Sequence, residues 1–165
     1  MLQTTFPSPW GPLLADSDGE ALTRLWFVDE LRPEPVTLPL FALLQEELAA
    51  YAGGRLRTFT IPLKPAGTPF QRAVWDELVR IPWGATVSYS DVARAVGRLD
   101  TIRAVGGAIG RNPIAILVPC HRVVGSDGGL TGYAGGLNRK EALLRLEGWG
   151  ATAQQSLFGG RRVEP

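Results

Sequence analysis

Cys120 and His121 are adjacent, and each is the only residue of its type in the chain. A thiol reacts as its thiolate, and a histidine held by a carboxylate is a common base for generating one. The nearest downstream carboxylates are Glu141 and Glu147, in a helix predicted over residues 139–147. Because adjacent side chains do not automatically face each other, the pair also fits a buried, inert cysteine.

A single cysteine limits the use of this thiol. One Cys cannot form an internal disulfide, and one Cys with one His cannot supply a structural zinc site made of these residues alone. Residues 1–5 lack the features of a signal peptide, and no apolar run approaches the roughly 20 residues of a membrane span. The sequence therefore predicts a soluble, cytoplasmic protein whose thiol stays reduced.

Charge is distributed unevenly along the chain. The 165 residues are 45% hydrophobic and 20% charged with a net charge of +1, an ordinary composition for one or two small domains. Residues 1–65 contain 5 basic and 8 acidic residues, so the basic excess lies in residues 66–165. A polyanionic partner would bind there, although solvated faces commonly carry an imbalance of this size.

The first third of the chain is predicted to form strands and one helix. Residues 12–15 and 21–28 have strand-like character on either side of a turn, and residues 57–63 alternate like a half-buried strand. Helical spacing of apolar residues covers residues 40–51. The Pro- and Gly-containing stretch at residues 64–68 is the predicted linker between two domains.

The second part of the chain is predicted to be mostly helical. One helix covers residues 69–81, and a shorter one is capped by Ser90, runs to Val96 and is closed by Gly97. A four-residue connection leads to a third helix over residues 102–109. The two short helices and their tight turn are typical of a helix-turn-helix motif and also of an ordinary helical hairpin.

The predicted third helix has an unusual composition. Gly106 and Gly107 each cost a helix about 1 kcal/mol relative to alanine, but they leave almost no side-chain bulk. Such a surface suits close approach to a packed neighbour or to a DNA groove. Arg103 is the one long side chain near the helix start, and a solvated charge is the alternative interpretation.

The segment before Cys120 carries a specific motif. Residues 114–118 are wholly apolar and predict a buried strand that Pro119 ends. Asn112-Pro113 and Pro119-Cys120-His121-Arg122-Val123 resemble the acceptor-site signature of the O6-alkylguanine-DNA alkyltransferases (methylated-DNA–protein-cysteine methyltransferases). Other segments that resemble this family follow the same order along the chain: residues 8–13, 67–71, 81–84, 88–89, 103–106 and 132–137.

The resemblance implies an α+β fold of two domains. Residues 1–65 would form an N-terminal RNase-H-like β-sheet domain with a helix, and residues 66–148 a helical, winged-helix-like domain with the helix-turn-helix. Residues 149–165 are predicted as a flexible tail. The resemblance also implies a monomer that binds double-stranded DNA through the minor groove. We expect no cofactor and no metal, because the N-terminal cysteines through which some relatives bind zinc are absent here.

The chemistry implied by the resemblance is direct reversal of DNA alkylation. Cys120 would attack the alkyl carbon of O6-alkylguanine, and of O4-alkylthymine, in one irreversible displacement, so each molecule reacts once. His121 would act through a water and be oriented by Glu147, while Asn112 would hold the active-site turn. Tyr89 would rotate the 3′ phosphate and donate a proton toward the leaving guanine.

Contacts with DNA and with the damaged base are implied as well. Arg103 matches the family's finger residue, which fills the gap left by a flipped-out base, and Arg122 is interpreted as a structural salt-bridge partner. The other predicted DNA contacts are Thr101, Tyr89, Ala104 and Gly106, and the predicted base pocket consists of Val118, Val123, Tyr133 and Ala134. Ala134 stands where many relatives have serine, which leaves its backbone N–H to reach the guanine oxygen.

Two other classes of function fit parts of the sequence. One is a helix-turn-helix protein that senses damage or regulates transcription without transferring a group, and the other is a Cys-His hydrolase of small molecules. The intact Pro-Cys-His-Arg motif favours alkyl transfer over both. In the tail, Gln154-Gln155-Ser156-Leu157-Phe158 resembles the short peptide by which bacterial repair proteins bind the replication sliding clamp.

Overall fold

The computed structural model describes residues 1–150 and two short paired strands in the tail, Gln154–Gln155 and Arg162–Val163. The rest of the predicted flexible tail, including most of the clamp-like segment at residues 154–158, lies outside the described residues. Within the described part of the chain, no helix is long and apolar enough to cross a membrane.

The chain divides into two compact units. The first contains Met1–Ala66 together with the short segment Pro113–Ala115, and the second contains Gly67–Asn112 and the described residues from Ile116 onward. A sheet with one helix in the first unit and a mainly helical second unit confirm the predicted α+β class.

The first unit is built on an antiparallel sheet with the strand order β1-β2-β3: β1 (Leu2–Phe6), β2 (Leu13–Ser17) and β3 (Leu22–Phe27). The turn between β2 and β3 is closed by Asp18, whose Oδ1 accepts the backbone N–H groups of Glu20 and Ala21. β2 and β3 confirm the strands predicted there. β1 carries no clear sequence signal, because two of its buried residues are the polar Thr4 and Thr5.

Helix α1 (Pro39–Ala52) confirms the helix predicted over residues 40–51, and it also buries a carboxylate. Both oxygens of Glu47 accept the backbone N–H of Thr60, at 2.8 and 3.0 Å. Because a side chain binds this N–H, the segment does not add a strand to the sheet. The strand predicted over residues 57–63 is therefore wrong, and only Leu63 pairs, through a single bridge to Leu22.

The second unit begins with three helices: α2 (Pro69–Val79), α3 (Tyr89–Ala95) and α4 (Ile102–Gly110), with a 3-10 turn over Leu99–Thr101 before α4. α2 packs against both α3 and α4. The indole Nε1 of Trp75 in α2 donates to the carbonyl oxygen of Ala108 in α4 at 2.8 Å. α3 and α4 therefore pack against each other and against α2, and the helix-turn-helix stays a prediction.

Ser88, and not Ser90, caps α3. The Ser88 hydroxyl accepts the backbone N–H of Asp91 at 3.0 Å, and the Asp91 carboxylate accepts the N–H of Ser88 at 2.8 Å. The prediction of Ser90 is wrong because a carboxylate three residues after Ser88 completes a capping box there. Ser88 also belongs to the two-residue strand β4 (Val87–Ser88), which pairs in parallel with β5 (Val123–Val124).

The strand predicted over residues 114–118 is wrong, although all five residues are buried. Ile114 forms a single bridge to Leu25, and the following residues form a turn in which Ile116 has φ 71°. The side chain of Asn112 donates to the carbonyl oxygen of Val118 at 2.8 Å and closes this turn. The apolar run therefore indicated burial correctly, while a side-chain hydrogen bond sets the backbone path.

A 3-10 turn, Cys120–Arg122, follows this loop and leads directly into β5. The last long helix, α5 (Leu137–Leu146), confirms the helix predicted near residues 139–147, with Glu147 as its C-cap. Cys120, His121 and the α5 terminus are thus presented by short, irregular segments that the surrounding helices hold in place.

Candidate active site

Cys120 lies at the start of the 3-10 turn and is only 6% exposed. The Nδ2 amide of Asn112 donates to Sγ of Cys120 at 3.2 Å, in addition to its bond to Val118 O. The backbone N–H of Cys120 also donates to Val118 O at 2.8 Å. One asparagine therefore both holds the loop and places a hydrogen-bond donor on the sulfur.

Burial raises the pKa of the Cys120 thiol, while the hydrogen bond from Asn112 and the positive charge of Lys140 oppose this rise. The thiol is consequently protonated at neutral pH, and reaction requires a group that accepts its proton. Without such a group the cysteine would be inert. The environment of the adjacent His121 therefore decides whether Cys120 is a reactive thiol or an inert one.

His121 is completely buried, and its Nε2 lies 2.9 Å from Oε2 of Glu147. Burial lowers the pKa of His121, so the ring is neutral at neutral pH. An ionised carboxylate only accepts hydrogen bonds, which places the imidazole proton on Nε2. The remaining ring atom, Nδ1, has no hydrogen-bond partner among the described residues and is free to accept a proton.

Glu147 holds a second partner besides His121. Arg122 binds the carboxylate through Nε at 2.8 Å and Nη2 at 2.9 Å, and its Nη1 donates to the carbonyl oxygen of Ile81. Burial alone would raise the pKa of Glu147, but the hydrogen bonds from His121 and Arg122 outweigh it and bring the pKa to about 2. Glu141 instead pairs with Arg145 at the exposed surface, so Glu147 is the carboxylate of this site.

Tyr89 is the first residue of α3 and is half-buried beside both α4 and the loop that precedes α5. Its hydroxyl accepts a hydrogen bond from Thr131 Oγ1 at 3.3 Å. A Cβ at Gly132 would lie 3.8 Å from this hydroxyl, and a Cβ at Gly106 would lie 3.8 Å from its ring. Tyr89 therefore lies between α4 and the loop that contains Thr131, Gly132 and Tyr133.

The predicted base-pocket residues differ in their surroundings. Val118 and Val123 are fully buried, and the carbonyl oxygen of each accepts hydrogen bonds within the protein. Burial, and then the negative charge of the Cys120 thiolate, raise the pKa of the Tyr133 phenol. Ala134, the next residue, is exposed.

Arg103 and Ala104 lie exposed at the start of α4, with Thr101 half-exposed just before it. Arg103 makes no ion pair or hydrogen bond with another residue that the structure describes. This separates it from Arg94 and Arg98, which pair with the neighbouring carboxylates of Asp91 and Asp100.

Lys140 belongs to this site but is absent from the sequence-based prediction. It is fully buried in α5, and its Nζ donates to the carbonyl oxygens of Val123 and Thr131, each at 2.6 Å. A sequence signal for it exists, because Lys140 precedes the buried Leu143 and Leu144 by three and four residues. A lysine on the apolar face of a helix is unusual and needs polar partners.

The thiol site and helices α2 to α4 lie in the same compact unit. A family model described as 6-O-methylguanine DNA methyltransferase, DNA binding domain, matches residues 69–149. Methylated-DNA–protein-cysteine methyltransferases are 44% identical over 154 residues in Methanosarcina acetivorans (90% of this chain, 99% of that one) and 48% over 156 residues in Mycobacterium leprae (92% and 94%).

The crystal structure of Mycobacterium tuberculosis OGT in complex with DNA matches with a TM-score of 0.82 at 44% identity, covering 89% of this chain and 92% of that one. Identity of this extent over nearly the whole of both chains is decisive. The chain belongs to the methylated-DNA–protein-cysteine methyltransferase family.

Proposed function

We propose that this protein repairs DNA by transferring the alkyl group of O6-alkylguanine to Sγ of Cys120. The main support is the geometry at the buried sulfur, which accepts a hydrogen bond from the side-chain amide of Asn112. The neighbouring His121 has its proton held on Nε2 by Glu147. The family supplies the reaction class, alkyl transfer from methylated DNA to a protein cysteine.

Thiol activation uses the free nitrogen of His121. The proton of Cys120 passes through a bridging water to Nδ1, and the resulting imidazolium is stabilised by the carboxylate of Glu147. Asn112 donates to the sulfur throughout, so it stabilises the thiolate more than the neutral thiol.

The transfer is a single displacement. The thiolate lone pair forms the S–C bond as the C–O6 bond breaks, and its electron pair leaves with the guanine, which takes up a proton. The Tyr89 hydroxyl accepts from Thr131, which leaves its own proton available for this purpose. The product is a thioether that water does not cleave, so each molecule reacts once. The same step applies to O4-alkylthymine, whose alkyl carbon is also bonded to an exocyclic oxygen.

The glycines of α4 support approach of this helix to the minor groove. Neither Gly106 nor Gly107 has a positive φ, and a Cβ on either would meet only ordinary contacts, at 3.8 and 3.7 Å. The fold therefore does not require glycine at these positions, although glycine weakens the helix. Close approach of DNA to this helix would account for the two glycines. The unpaired side chain of Arg103, near the start of the same helix, would fill the gap left by a flipped base. Thr101 and Ala104 flank it.

The test is intact-protein mass after incubation with a duplex that contains one O6-methylguanine, next to an unmodified duplex. We expect a gain of one methylene mass, located on the peptide with Cys120 and seen only with damaged DNA. Cys120→Ala should bind the damaged duplex without a mass gain. Tight binding of the native chain without a mass gain would indicate a damage sensor, and repeated turnover of a small ester would indicate a hydrolase; either result overturns the proposal.

Two further properties follow from the same reaction. The lone thiol must stay reduced to accept an alkyl group, so we infer a cytoplasmic location. The acceptor, its base and the DNA-binding helix all lie in one unit of one chain, so we also infer action as a monomer.

We also propose that the segment Gln154-Gln155-Ser156-Leu157-Phe158 binds the replication sliding clamp, with Leu157 and Phe158 as apolar anchors in a groove. The support is the sequence alone. A peptide of residues 150–165 and its Leu157→Ala/Phe158→Ala version should differ in binding to the purified clamp by at least tenfold. Equal binding of the two peptides would refute this role.

A further inference from the structure

Thr131 lies in the loop between β5 and α5, beside the hydroxyl group of Tyr89. Its Oγ1 donates to this hydroxyl at 3.3 Å. Among the residues that the structure describes, Thr131 supplies the one hydrogen bond of the Tyr89 hydroxyl. A phenol has one proton to give and lone pairs that accept, so the Tyr89 proton stays available for a group outside the protein.

The direction of the Thr131 hydroxyl is set by the methyl group on the same carbon. A Cβ built at Gly125 would lie 3.5 Å from Cγ2 of Thr131, so this methyl group lies beside Gly125. Threonine carries two heavy atoms on Cβ, and fixing one of them also fixes the direction of the other. With Cγ2 at Gly125, Oγ1 is directed toward Tyr89.

The backbone of this loop is held as well. The carbonyl oxygens of Thr131 and Gly132 accept hydrogen bonds from Nζ of the buried Lys140, at 2.6 and 3.4 Å. The turn before them is closed by the backbone N–H of Gly125, which donates to the carbonyl oxygen of Gly129 at 2.8 Å. The exposed side chain of Thr131 therefore extends from a backbone that is held at two points.

Tyr89 is positioned at the other end of the hydrogen bond. It is the first residue of α3, whose start is fixed by a capping box. A Cβ at Gly106 would lie 3.8 Å from Cδ1 of its ring, and a Cβ at Gly132 would lie 3.8 Å from its hydroxyl oxygen. Both partners of the Thr131–Tyr89 bond are therefore in place in the free protein.

We propose that Thr131 is a positioning residue that directs the Tyr89 proton to the leaving guanine and stabilises the phenolate that results. The inference rests on the proposed alkyl transfer to Cys120, with Tyr89 as its proton donor. A role limited to the shape of the loop would affect every reaction of the thiol. A role through Tyr89 affects only reactions whose leaving group needs a proton.

The hydrogen bond from Thr131 becomes stronger as the reaction proceeds. While the C–O6 bond breaks, the guanine takes the Tyr89 proton, and negative charge develops on the phenol oxygen. A hydrogen bond to an ionised oxygen is about twice as strong as one to a neutral oxygen. Thr131 therefore stabilises the transition state more than the ground state, which is the condition for a faster reaction.

The protons balance over the whole reaction. The Cys120 thiol gives one proton to His121, and Tyr89 gives one to the guanine as the S–C bond of the thioether forms. The proton on His121 then returns to the Tyr89 phenolate through solvent. Both residues end in their starting states, and only the sulfur and the guanine have changed.

The first experiment compares two reactions of Cys120 that differ in their leaving group. Repair of O6-methylguanine in a duplex releases guanine, which takes up a proton, whereas iodoacetamide releases iodide, which needs none. Thr131→Val keeps the shape of the side chain and removes its hydroxyl. We expect this variant to slow single-turnover repair at saturating duplex by about tenfold and to leave the iodoacetamide rate unchanged. Equal slowing of both reactions, or repair at the native rate, would overturn the inference.

Two further variants are the controls of this experiment. Thr131→Ser retains a hydroxyl that can still reach Tyr89, and it should restore much of the lost repair rate. Thr58→Val makes the same change at an exposed threonine of the first unit and should alter neither reaction. If Thr131→Ser repairs as slowly as Thr131→Val, the effect belongs to the shape of the side chain, and the role of the hydrogen bond is refuted.

The second experiment asks whether Thr131 acts through Tyr89. In a Tyr89→Phe background the phenol oxygen is absent, so adding Thr131→Val should change the repair rate by less than about twofold. A further loss of about tenfold in the double variant would mean that Thr131 acts independently of Tyr89. That result would contradict the inference even if Thr131→Val alone slows repair.

The two proposals can fail separately. If the native protein takes no methyl group from damaged DNA, the proposed function fails, whatever iodoacetamide shows. If it does take the methyl group, but Thr131→Val repairs at the native rate, only the inference about Thr131 fails.

Discussion

Oε2 of Glu147 lies 2.9 Å from Nε2 of His121, and these residues are 26 positions apart in the sequence. The contact joins the end of α5 to the 3-10 turn at the acceptor cysteine. It fixes the imidazole proton on Nε2 and leaves Nδ1 as the free base, so a carboxylate that never touches the sulfur decides which nitrogen can take its proton.

Glu147→Gln should damage both stability and repair. The amide removes the negative charge that Arg122 and His121 share, which leaves a buried guanidinium without its counter-ion. We expect a loss of about 3–5 kcal/mol in the free energy of unfolding in urea, and slower single-turnover repair. The control, Glu141→Gln, breaks only the exposed pair with Arg145 and should change stability by about 0.5 kcal/mol or less. Equal effects of the two substitutions would contradict the assignment of Glu147.

Stability should fall as the pH is lowered below about 6.5, and the site accounts for the direction. The folded-state pKa of Glu147 is about 2, against 4.5 normally, so its contribution is fully present above pH 4.5 and is lost as pH falls toward 2. The lowered pKa of His121 acts in the same direction below pH 6.5, since the unfolded state then binds a proton that the folded state refuses. Unfolding free energies should show a flatter acid limb for Glu147→Gln than for the native chain. An equally steep limb would assign the acid sensitivity to other groups.

The sequence predicted elements best where local chemistry is sufficient. The helix from Pro69 follows from its apolar spacing and from a proline at its first position, and Gly97 ends α3 as expected, with φ 72°. Local patterns failed where a distant side chain binds the backbone. Glu47 accepts a hydrogen bond from the backbone N–H of Thr60. Asn112 donates a hydrogen bond to the carbonyl oxygen of Val118, in a turn whose apolar composition resembles that of a strand.

The site was predictable in its residue types but not in all its partners. The Pro-Cys-His-Arg motif identifies the thiol and its base, but spacing could not choose between Glu141 and Glu147, because both lie in or next to the same helix. That choice depends on which carboxylate is buried against Arg122. Lys140 escaped the prediction because its partners are backbone carbonyls, which no residue type reveals.

Asn112→Ala should make the acceptor thiol less acidic. The substitution removes the hydrogen bond to Sγ and one of two donors to the carbonyl oxygen of Val118. We expect the pH at which Cys120 reacts with iodoacetamide to rise, and repair at neutral pH to slow, with partial recovery at higher pH. Stability should fall by about 1–3 kcal/mol. Asn138→Ala, at an exposed position of α5, should leave all three measurements unchanged. A neutral-pH defect that higher pH does not relieve would assign Asn112 a structural role only.

Arg103→Ala should slow the repair of O6-methylguanine in duplex DNA much more than the reaction of Cys120 with a free alkylated base. The side chain lies exposed at the start of α4 and makes no hydrogen bond or ion pair with a described residue of the thiol site, so its loss leaves the hydrogen bonds around Cys120 in place. We expect repair of O6-methylguanine in a duplex to slow by roughly 10- to 100-fold, because a flipped base is no longer replaced in the stack. Reaction with the free base O6-benzylguanine should change little. Arg80→Ala, which removes an exposed pair with Glu77, is the control. Equal losses on duplex and free base would remove the proposed role.

Gly106→Ala and Gly107→Ala should increase stability and decrease DNA binding. Both backbones are helical, and an added methyl group would meet only the ring of Tyr89 at 3.8 Å or the guanidinium of Arg111 at 3.7 Å. Alanine should therefore add about 0.5–1 kcal/mol to the free energy of unfolding at each position.

The same methyl groups would project toward the surface that we assign to DNA, so the dissociation constant for a duplex should rise at fixed salt concentration. Gly110→Ala, at the other end of α4 and with open space around it, should stabilise without weakening binding. Unfolding in urea and fluorescence anisotropy of a labelled duplex give the two quantities for each variant. If the Gly106 and Gly107 variants gain stability and bind DNA unchanged, then α4 does not approach the groove closely, and the glycines need another explanation.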